Sequence, residues 1–192
     1  MRYGHLWTRA TPNSLLVEET LKFINPEKMT AAETVGHAKD PVRSKKARNA
    51  NVQFITDKGI LERWLATAQI INRDLGWDFD LDAIEHIQYG EYNEDQYYGW
   101  HIDQHKEPYA DDRIRKCSFS VFLNDDFDGG EFDLEVGSPK DQLTDQGRIK
   151  TFEKLNVNEL LFFQSDFWHQ VRPVTKGVRK SLVGWVLGPK WK

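Results

Sequence analysis

One cysteine, Cys117, in 192 residues excludes an internal disulfide and a thiolate zinc cluster. No run approaches the ~18 consecutive apolar residues of a membrane helix. The opening residues, M-R-Y-G-H-L-W-T-R-A, lack the apolar run of a secretory signal, so a reducing cytoplasm is the expected setting. Positive charge is not in excess. The chain carries 26 Lys and Arg against 30 Asp and Glu, a net −4, which disfavours a general nucleic-acid or membrane binder. No internal repeat, linker or low-complexity block divides the chain. We therefore expect a single domain over 1–192, with 1–80 as helical support and a mobile loop, and 81–192 as the core that carries the site. A domain of this size buries roughly 70% of its unfolded surface. Its 7 Trp, 11 Phe and 6 Tyr supply bulky material for a β-rich interior.

Hydrophobic periodicity organises the chain. Val17, Leu21 and Ile24 recur at helical spacing after the start signal Thr11-Pro12-Asn13, predicting a helix over Ser14–Asn25. From Pro26 to Asn51 the pattern dissolves into a polar segment with the basic cluster Arg43, Lys45, Lys46 and Arg48. That segment reads as a solvated mobile loop, or as a lid or anionic-partner contact beside a site. Asn51–Thr56 reads as a short strand. Between Lys58 and Leu75, Leu61, Trp64, Leu65, Ala68, Ile71 and Leu75 form one apolar stripe, with Asp57 as cap and Gly76 as stop. Beyond Ile84 the runs shorten. Strands are expected at Ile84–Tyr92, Gln96–Ile102, Cys117–Asn124, Glu131–Val136, Glu159–Gln164, Trp168–Arg172 and Lys180–Leu187. Turn signals at Asp128-Gly129-Gly130, Gly137-Ser138-Pro139 and Lys176-Gly177 separate several of them. Cys117, Phe119, Val121 and Leu123 alternate with Ser118 and Ser120, the pattern of a half-buried strand. Helices followed by about eight strands predict an α+β, mainly β fold: a sandwich or jelly roll braced by N-terminal helices.

Chemistry enters at Y-Y-G-W-H-I-D, Tyr97 to Asp103. On an extended strand His101 and Asp103 point to one face, a half-site for a divalent transition metal. H-x-D is common by chance, so a third ligand is required. His5, His37, His86, His105 and His169 are the candidates. His105 sits in an expected turn, close in sequence to the pair, and His5 lies in the loose N-terminal segment. A jelly roll brings a late strand beside an early one, which favours His169. Two His and one carboxylate on one face leave positions open on the metal, the signature of non-haem Fe(II) oxygenases. A 2-oxo acid can supply the electrons for oxygen activation, and its far carboxylate needs a cation in an apolar pocket. Arg179 stands ten residues after His169, and on a strand it shares a face with Ser181, Val183 and Trp185. Singly, Arg179 reads as a surface ion pair and Trp185 as core; with the metal half-site, a cosubstrate anchor explains them better.

Four stretches carry a family resemblance: I-Q-Y-G-E-Y-N-E-D-Q-Y-Y-G-W-H-I-D, R-K-C-S-F-S-V-F-L-N, D-G-G-E-F, and L-L-F-F-Q-S-D-F-W-H-Q-V-R-P-V-T-K-G-V-R-K-S-L-V-G-W. Spanning about Ile84 to Trp185, they resemble the Fe(II)/2-oxoglutarate-dependent oxygenases of the prolyl 4-hydroxylase-like, PKHD-type group. The resemblance implies a double-stranded β-helix, cupin-like core. It also implies Fe(II) on His101, Asp103 and His169, and the far carboxylate of 2-oxoglutarate on Arg179 and Ser181. Tyr92 matches the early motif tyrosine that faces 2-oxoglutarate or substrate, and Tyr98, Arg115 and Trp185 match positions around the target residue. Asp95 stands where the motif commonly has glycine. Phe122 replaces a tyrosine that some members aim at the cosubstrate.

The implied reaction consumes O2 and 2-oxoglutarate, releases succinate and CO2, and hydroxylates a C–H bond, with ascorbate a further requirement in some members. Related halogenating sites lack the carboxylate that Asp103 supplies, so hydroxylation is the expected outcome. The expected substrate is a peptide or protein, prolyl first. Alternatives are a free amino acid, another side chain or a nucleobase under the same chemistry, a non-catalytic cupin-like binding module, and a zinc hydrolase on the same triad. The last gives no reason for the Arg179–Ser181 pair.

Overall fold

The structure, a computed structural model, describes residues 6–32, 47–137 and 148–191. His5, His37, Arg43, Lys45, Lys46 and the Ser138-Pro139 turn signal lie outside them.

Helix α1 spans Ser14–Leu21, capped by the Asn13 side chain, which accepts from Leu15 N–H. It ends four residues before the expected Asn25. Asn25 precedes Pro26 and is extended, as the proline ring requires of its neighbour. Asn25 N–H donates to the Gln53 side chain at 2.8 Å, and Gln53 Nε2 donates to Phe23 O at 2.7 Å. A short 3₁₀ turn, Pro26–Lys28, follows. Helix α2 runs from Lys58 to Asp74, with Asp57 accepting from Ile60 N–H and Gly76 at φ +68° beyond its end. Its most buried line is Ile60, Trp64, Ala68 and Asn72, while Leu61, Leu65, Ile71 and Leu75 flank it half-buried. Asn72 escapes a hydrophobic pattern because its amide is satisfied by the Phe79 backbone, at 3.0 and 3.1 Å.

Fourteen strands are present among the described residues. In chain order they are β1 (Trp7–Ala10), β2 (Thr30–Ala31), β3 (Arg48–Asn49), β4 (Asn51–Ile55), β5 (Ala83–Tyr92), β6 (Tyr97–His101) and β7 (Arg113–Phe122). Then come β8 (Asp128–Gly129), β9 (Phe132–Glu135), β10 (Ile149–Phe152), β11 (Leu160–Gln164), β12 (His169–Val171), β13 (Val174–Lys176) and β14 (Arg179–Pro189). The sequence reading lacks β1, β2, β3, β8, β10 and β13, all of four residues or fewer, too short to show a period. It also starts β7 four residues late, because Arg113, Arg115 and Lys116 interrupt the apolar pattern. Lys116 solves its own burial by laying its ammonium over the Trp191 ring, 4.2 Å from the centroid.

The strands form a seven-stranded sheet, β1-β11-β7-β14-β5-β4-β2, and a five-stranded sheet, β10-β9-β12-β6-β3, plus the ribbon β13-β8. Every pairing is antiparallel. This is the expected jelly-roll architecture. Both faces of the large sheet are covered. Ile87, Phe119, Phe162, Leu182 and Val186 pack with Leu16, Val17, Ile60 and Trp64 of the helices. Tyr92, Phe122, Leu161 and Phe163 pack with Phe132, Leu134 and Val171 of the small sheet. β7 is therefore not the half-buried strand that its alternation predicts: Ser118 and Ser120 are 0% and 3% exposed. Their face is polar because it lines an internal cavity. Among the described residues no helix is long and apolar enough to cross a membrane.

Trp64 ties the helical layer to the large sheet. It is fully buried, stacks on Phe119 at 5.0 Å and donates Nε1–H to Thr20 at 2.9 Å. Trp64→Ala is expected to destabilise the protein by about 3–5 kcal/mol, measured as a lower denaturant midpoint with unchanged slope.

Candidate active site

A partly open cavity lies between the two sheets. The pairing of β12 with β6 sets His169 opposite His101, so both imidazoles enter the cavity from the small sheet. Asp103 lies two residues past His101, where its N–H and that of Gln104 donate to Ser165 O at 3.1 and 2.9 Å. The ligand atoms of His101, Asp103 and His169 lie within 4.8 Å of one another. His101 Nε2 is 3.7 Å from one Asp103 oxygen and His169 Nε2 is 3.4 Å from the other.

Each group is oriented by a neighbour. His101 Nδ1 is 2.8 Å from Gly99 O and His169 Nδ1 is 2.9 Å from Phe167 O. A carbonyl only accepts, so Nδ1 carries the proton and Nε2 presents its lone pair to the cavity. Tyr98 stacks on His101 at 3.5 Å and 13°, and Phe132 stacks on His169 at 5.6 Å and 19°. Burial, with the adjacent His169 adding to it, pushes the His101 imidazole down to about 3, so it is neutral at physiological pH. Burial acts to raise the Asp103 carboxyl, but the His169 and His101 imidazoles overcome it and hold it below the ordinary range. Ser118 Oγ donates to Asp103 Oδ2 at 2.7 Å and sits 2.8 Å from Ser165 Oγ. The two imidazole Nε2 atoms and the Asp103 carboxylate form a donor set that could hold a divalent transition metal with positions left open.

The cavity wall from β14 presents Arg179, Ser181, Val183 and Trp185, the four residues expected to share a face. Arg179 is 1% exposed. Its Nη1–H donates to Ser181 Oγ at 3.2 Å, while Nε and Nη2 have no hydrogen-bond partner among the described residues. Burial pulls its guanidinium down to about 10. Phe122 and Tyr92 rings face the cation at 4.7 and 5.6 Å. The D-G-G-E-F motif explains how its stem fits. Gly130 has φ +64°, and a Cβ there would fall 2.9 Å from Arg179 Cδ. Asp95, which stands where the motif commonly has glycine, adopts the same left-handed region at φ +63°, donating its N–H to Val174 O at 2.9 Å.

Tyr92, Tyr98 and Trp185 line the cavity with the triad; Arg115 does not. Arg115 makes a bidentate pair with Glu85 at 2.6 and 2.7 Å and donates to Asp103 O at 3.2 Å. Its guanidinium lies 4.3 Å from the Trp185 ring, behind the wall. His105 stays apart, edge-on to Tyr109 at 5.4 Å. Sequence reasoning missed Ser118, Ser165, Gln88 and the inward placement of Arg48. The serines on alternate positions of β7 were the available signal, read as solvent-facing.

Comparison with known proteins follows this geometry. Residues 87–187 match the model of the 2OG-Fe(II) oxygenase superfamily. A PKHD-type hydroxylase of Prochlorococcus marinus (strain MIT 9301) is 31% identical over 125 residues, covering 64% of this chain and 50% of that protein. The matched stretches span about half or less of the first such relatives, 35% to 50% of their length. Among solved structures, a Pseudomonas putida prolyl-4-hydroxylase superposes with TM-score 0.65 at 22% identity, covering 95% of this chain and 92% of that one. The viral collagen prolyl hydroxylase of Paramecium Bursaria Chlorella virus-1, solved with 2OG, superposes at 0.61 with 13% identity, covering 96% and 97%. At such identities the superpositions speak for the double-stranded β-helix fold. The family match covers more than half of the chain, and the chain belongs to the 2OG-Fe(II) oxygenase superfamily.

Proposed function

We propose that the chain is an Fe(II)- and 2-oxoglutarate-dependent hydroxylase that acts on a peptide or protein, with a prolyl residue as the leading target. The observation that carries the reading is Arg179. A fully buried guanidinium with two unpartnered N–H groups sits in the same cavity as a two-His, one-carboxylate cluster. Leaving a buried cation without a counter-ion is expensive, and a carboxylate arriving in the cavity removes that penalty. A zinc hydrolase or an empty binding module gives Arg179 nothing to do.

In this reading His101 and His169 offer Nε2, and Asp103 offers an oxygen, to Fe(II). Ser118 keeps the Asp103 carboxylate turned toward the metal while Arg115 braces its backbone carbonyl. Arg179 and Ser181 take the far carboxylate of 2-oxoglutarate, and Tyr92 lies over it. Bound Fe(II), 2-oxoglutarate and O2 supply the oxidising power, releasing succinate and CO2 as one oxygen atom enters the substrate C–H bond. The wall of Phe163, Val171, Val183 and Trp185 keeps water from that step. Tyr98 and Trp185 flank the space left for the target residue, and aromatic walls of this kind suit a proline ring. We read 1–192 as one oxygenase unit. Its single, buried thiol, Cys117, suits a reducing cytoplasm.

Anaerobic addition of Fe(II) and 2-oxoglutarate is expected to produce a visible charge-transfer band that His101→Ala abolishes; zinc retention with indifference to 2-oxoglutarate would sink the reading. Arg179→Ala is expected to weaken 2-oxoglutarate binding by about 2–5 kcal/mol while Fe(II) affinity stays near wild type, measured by titrating that band. Ser118→Ala has the opposite signature. Fe(II) binding weakens by about ten-fold or more with the fold retained, seen in anaerobic competition with a chelator. For the substrate, mass spectrometry of a prolyl-peptide array should find gain of one oxygen atom dependent on 2-oxoglutarate. Oxygen gained only by a different class of compound would remove the prolyl assignment.

A further inference from the structure

Arg48 is 6% exposed and lines the same cavity, entering from the small sheet through the edge strand β3. The sequence leaves it in a basic cluster that is either solvated or a lid or anionic-partner contact beside a site; the structure puts it against the aromatic ring that covers a triad residue. Its guanidinium carbon lies 4.5 Å from the Tyr98 centroid, and that ring stacks on His101. Nη1–H donates to Gln88 Oε1 at 3.2 Å, and Nε is buried with no hydrogen-bond partner among the described residues.

Its isolation distinguishes it from the other arginines. Among the described residues, every arginine except Arg48 and Arg179 has an acidic side chain within 4.0 Å. Arg115, buried nearby and also stacked on an aromatic ring, is neutralised by both oxygens of Glu85. Arg48 has the glutamine carbonyl where Arg115 has a carboxylate. A neutral acceptor orients a guanidinium without satisfying its charge. The strand register separates the two unneutralised cations: Arg179 stands opposite Tyr92, while Gln88, the partner of Arg48, stands opposite Val183, four residues farther along β14. The two cations therefore reach the cavity from different sheets, Arg48 from β3 and Arg179 from β14.

We propose that Arg48, held by Gln88 and Tyr98, forms a second carboxylate subsite in the cavity. Resting on the iron and 2-oxoglutarate reading above, it extends that reading by one recognition element. The carboxylate has two sources: the near, metal-side carboxylate of 2-oxoglutarate, or a carboxylate carried by the primary substrate.

The test uses the full chain with Fe(II) under anaerobic conditions, comparing wild type, Arg48→Gln and Arg48→Lys, with folding checked by thermal melting. The first arm titrates 2-oxoglutarate by its charge-transfer band. The second adds acetate or N-acetylproline, and their uncharged amides, to protein saturated with 2-oxoglutarate, and follows shifts in that band. A loss of 2-oxoglutarate affinity of about ten-fold or more in Arg48→Gln, partly restored in Arg48→Lys, assigns the subsite to the cosubstrate. Unchanged 2-oxoglutarate affinity, with a carboxylate-over-amide preference that disappears in Arg48→Gln, assigns it to the substrate. If Arg48→Gln does not fold, Arg48→Lys carries both arms, since it keeps the charge over Tyr98 and loses the planar fork. A folded variant that changes neither arm overturns the proposal and leaves Arg48 as a cation packed on Tyr98. A wild-type protein without the band removes the cosubstrate reading and the subsite together.

Discussion

The antiparallel register that sets His169 opposite His101 is the constraint on which the site depends. Side chains alternate faces along a strand, so a slip of one residue in either strand would turn its imidazole outward and carry a neighbour into the cavity. In one direction that neighbour is Trp100 or Trp168, 40% and 46% exposed. The register is held from both sides. β12 also pairs with β9, where His169 faces Leu134 and Val171 faces Phe132, and Phe132 both stacks on His169 and packs in the core between the sheets. The packing that stabilises the small sheet is thus the same packing that orients a ligand.

Electrostatics then decides what the cavity can accept. The Asp103 carboxylate accepts from the Ser118 hydroxyl and faces the two imidazoles, while Arg115 behind the wall is paired with Glu85. Arg179 and Arg48 have no acidic partner among the described residues. A cavity of this kind favours a net-negative guest over a neutral one of the same shape, because the guest supplies a counter-charge to groups already desolvated. It also explains the aromatic surroundings of both cations. Phe122 and Tyr92 around Arg179, and Tyr98 beneath Arg48, supply partial compensation that a saturated side chain cannot. Phe122 is instructive: a tyrosine there could donate to a carboxylate, whereas the phenyl ring only faces the cation, at 4.7 Å.

How much of this was legible in the sequence follows from the range of each interaction. Arg179 and Ser181 are spaced by two on β14, so the two-residue period puts the pair on one face without any tertiary knowledge. His101 ends β6 and Asp103 stands in the bend after it, brought back to the imidazole by its N–H bond to Ser165 O. His169 needed only the topological rule that early and late strands meet in a jelly roll. Ser118 and Arg48 failed for the same reason as each other. A polar residue in an alternating strand, or a basic residue in a polar segment, looks solvent-facing unless it is known that its face borders an internal cavity. Arg115 erred in the other direction. Its position suggested the substrate, and only the tertiary placement of Glu85, thirty residues away, shows its charge already engaged. The short strands β2, β3, β8 and β13 carry no pattern of their own; their partners impose them.

The division between reaction and recognition follows the same geometry. The two imidazoles sit on paired strands of the small sheet, with Asp103 in the bend after β6, and the Arg179–Ser181 pair sits on the central strand of the large sheet, positions where a register error is heavily penalised. Tyr98 belongs to both systems, since one side of its ring covers His101 and its face also carries Arg48. A group bound at Arg48 therefore changes the charge above a ring that packs directly on a triad residue. Such a contact gives substrate or cosubstrate binding a short physical route to the metal site, through one aromatic ring and with no movement of the sheets. On the Arg48 proposal, recognition would rest on the edge strand β3, outside the β6–β12 pairing that carries the two imidazoles.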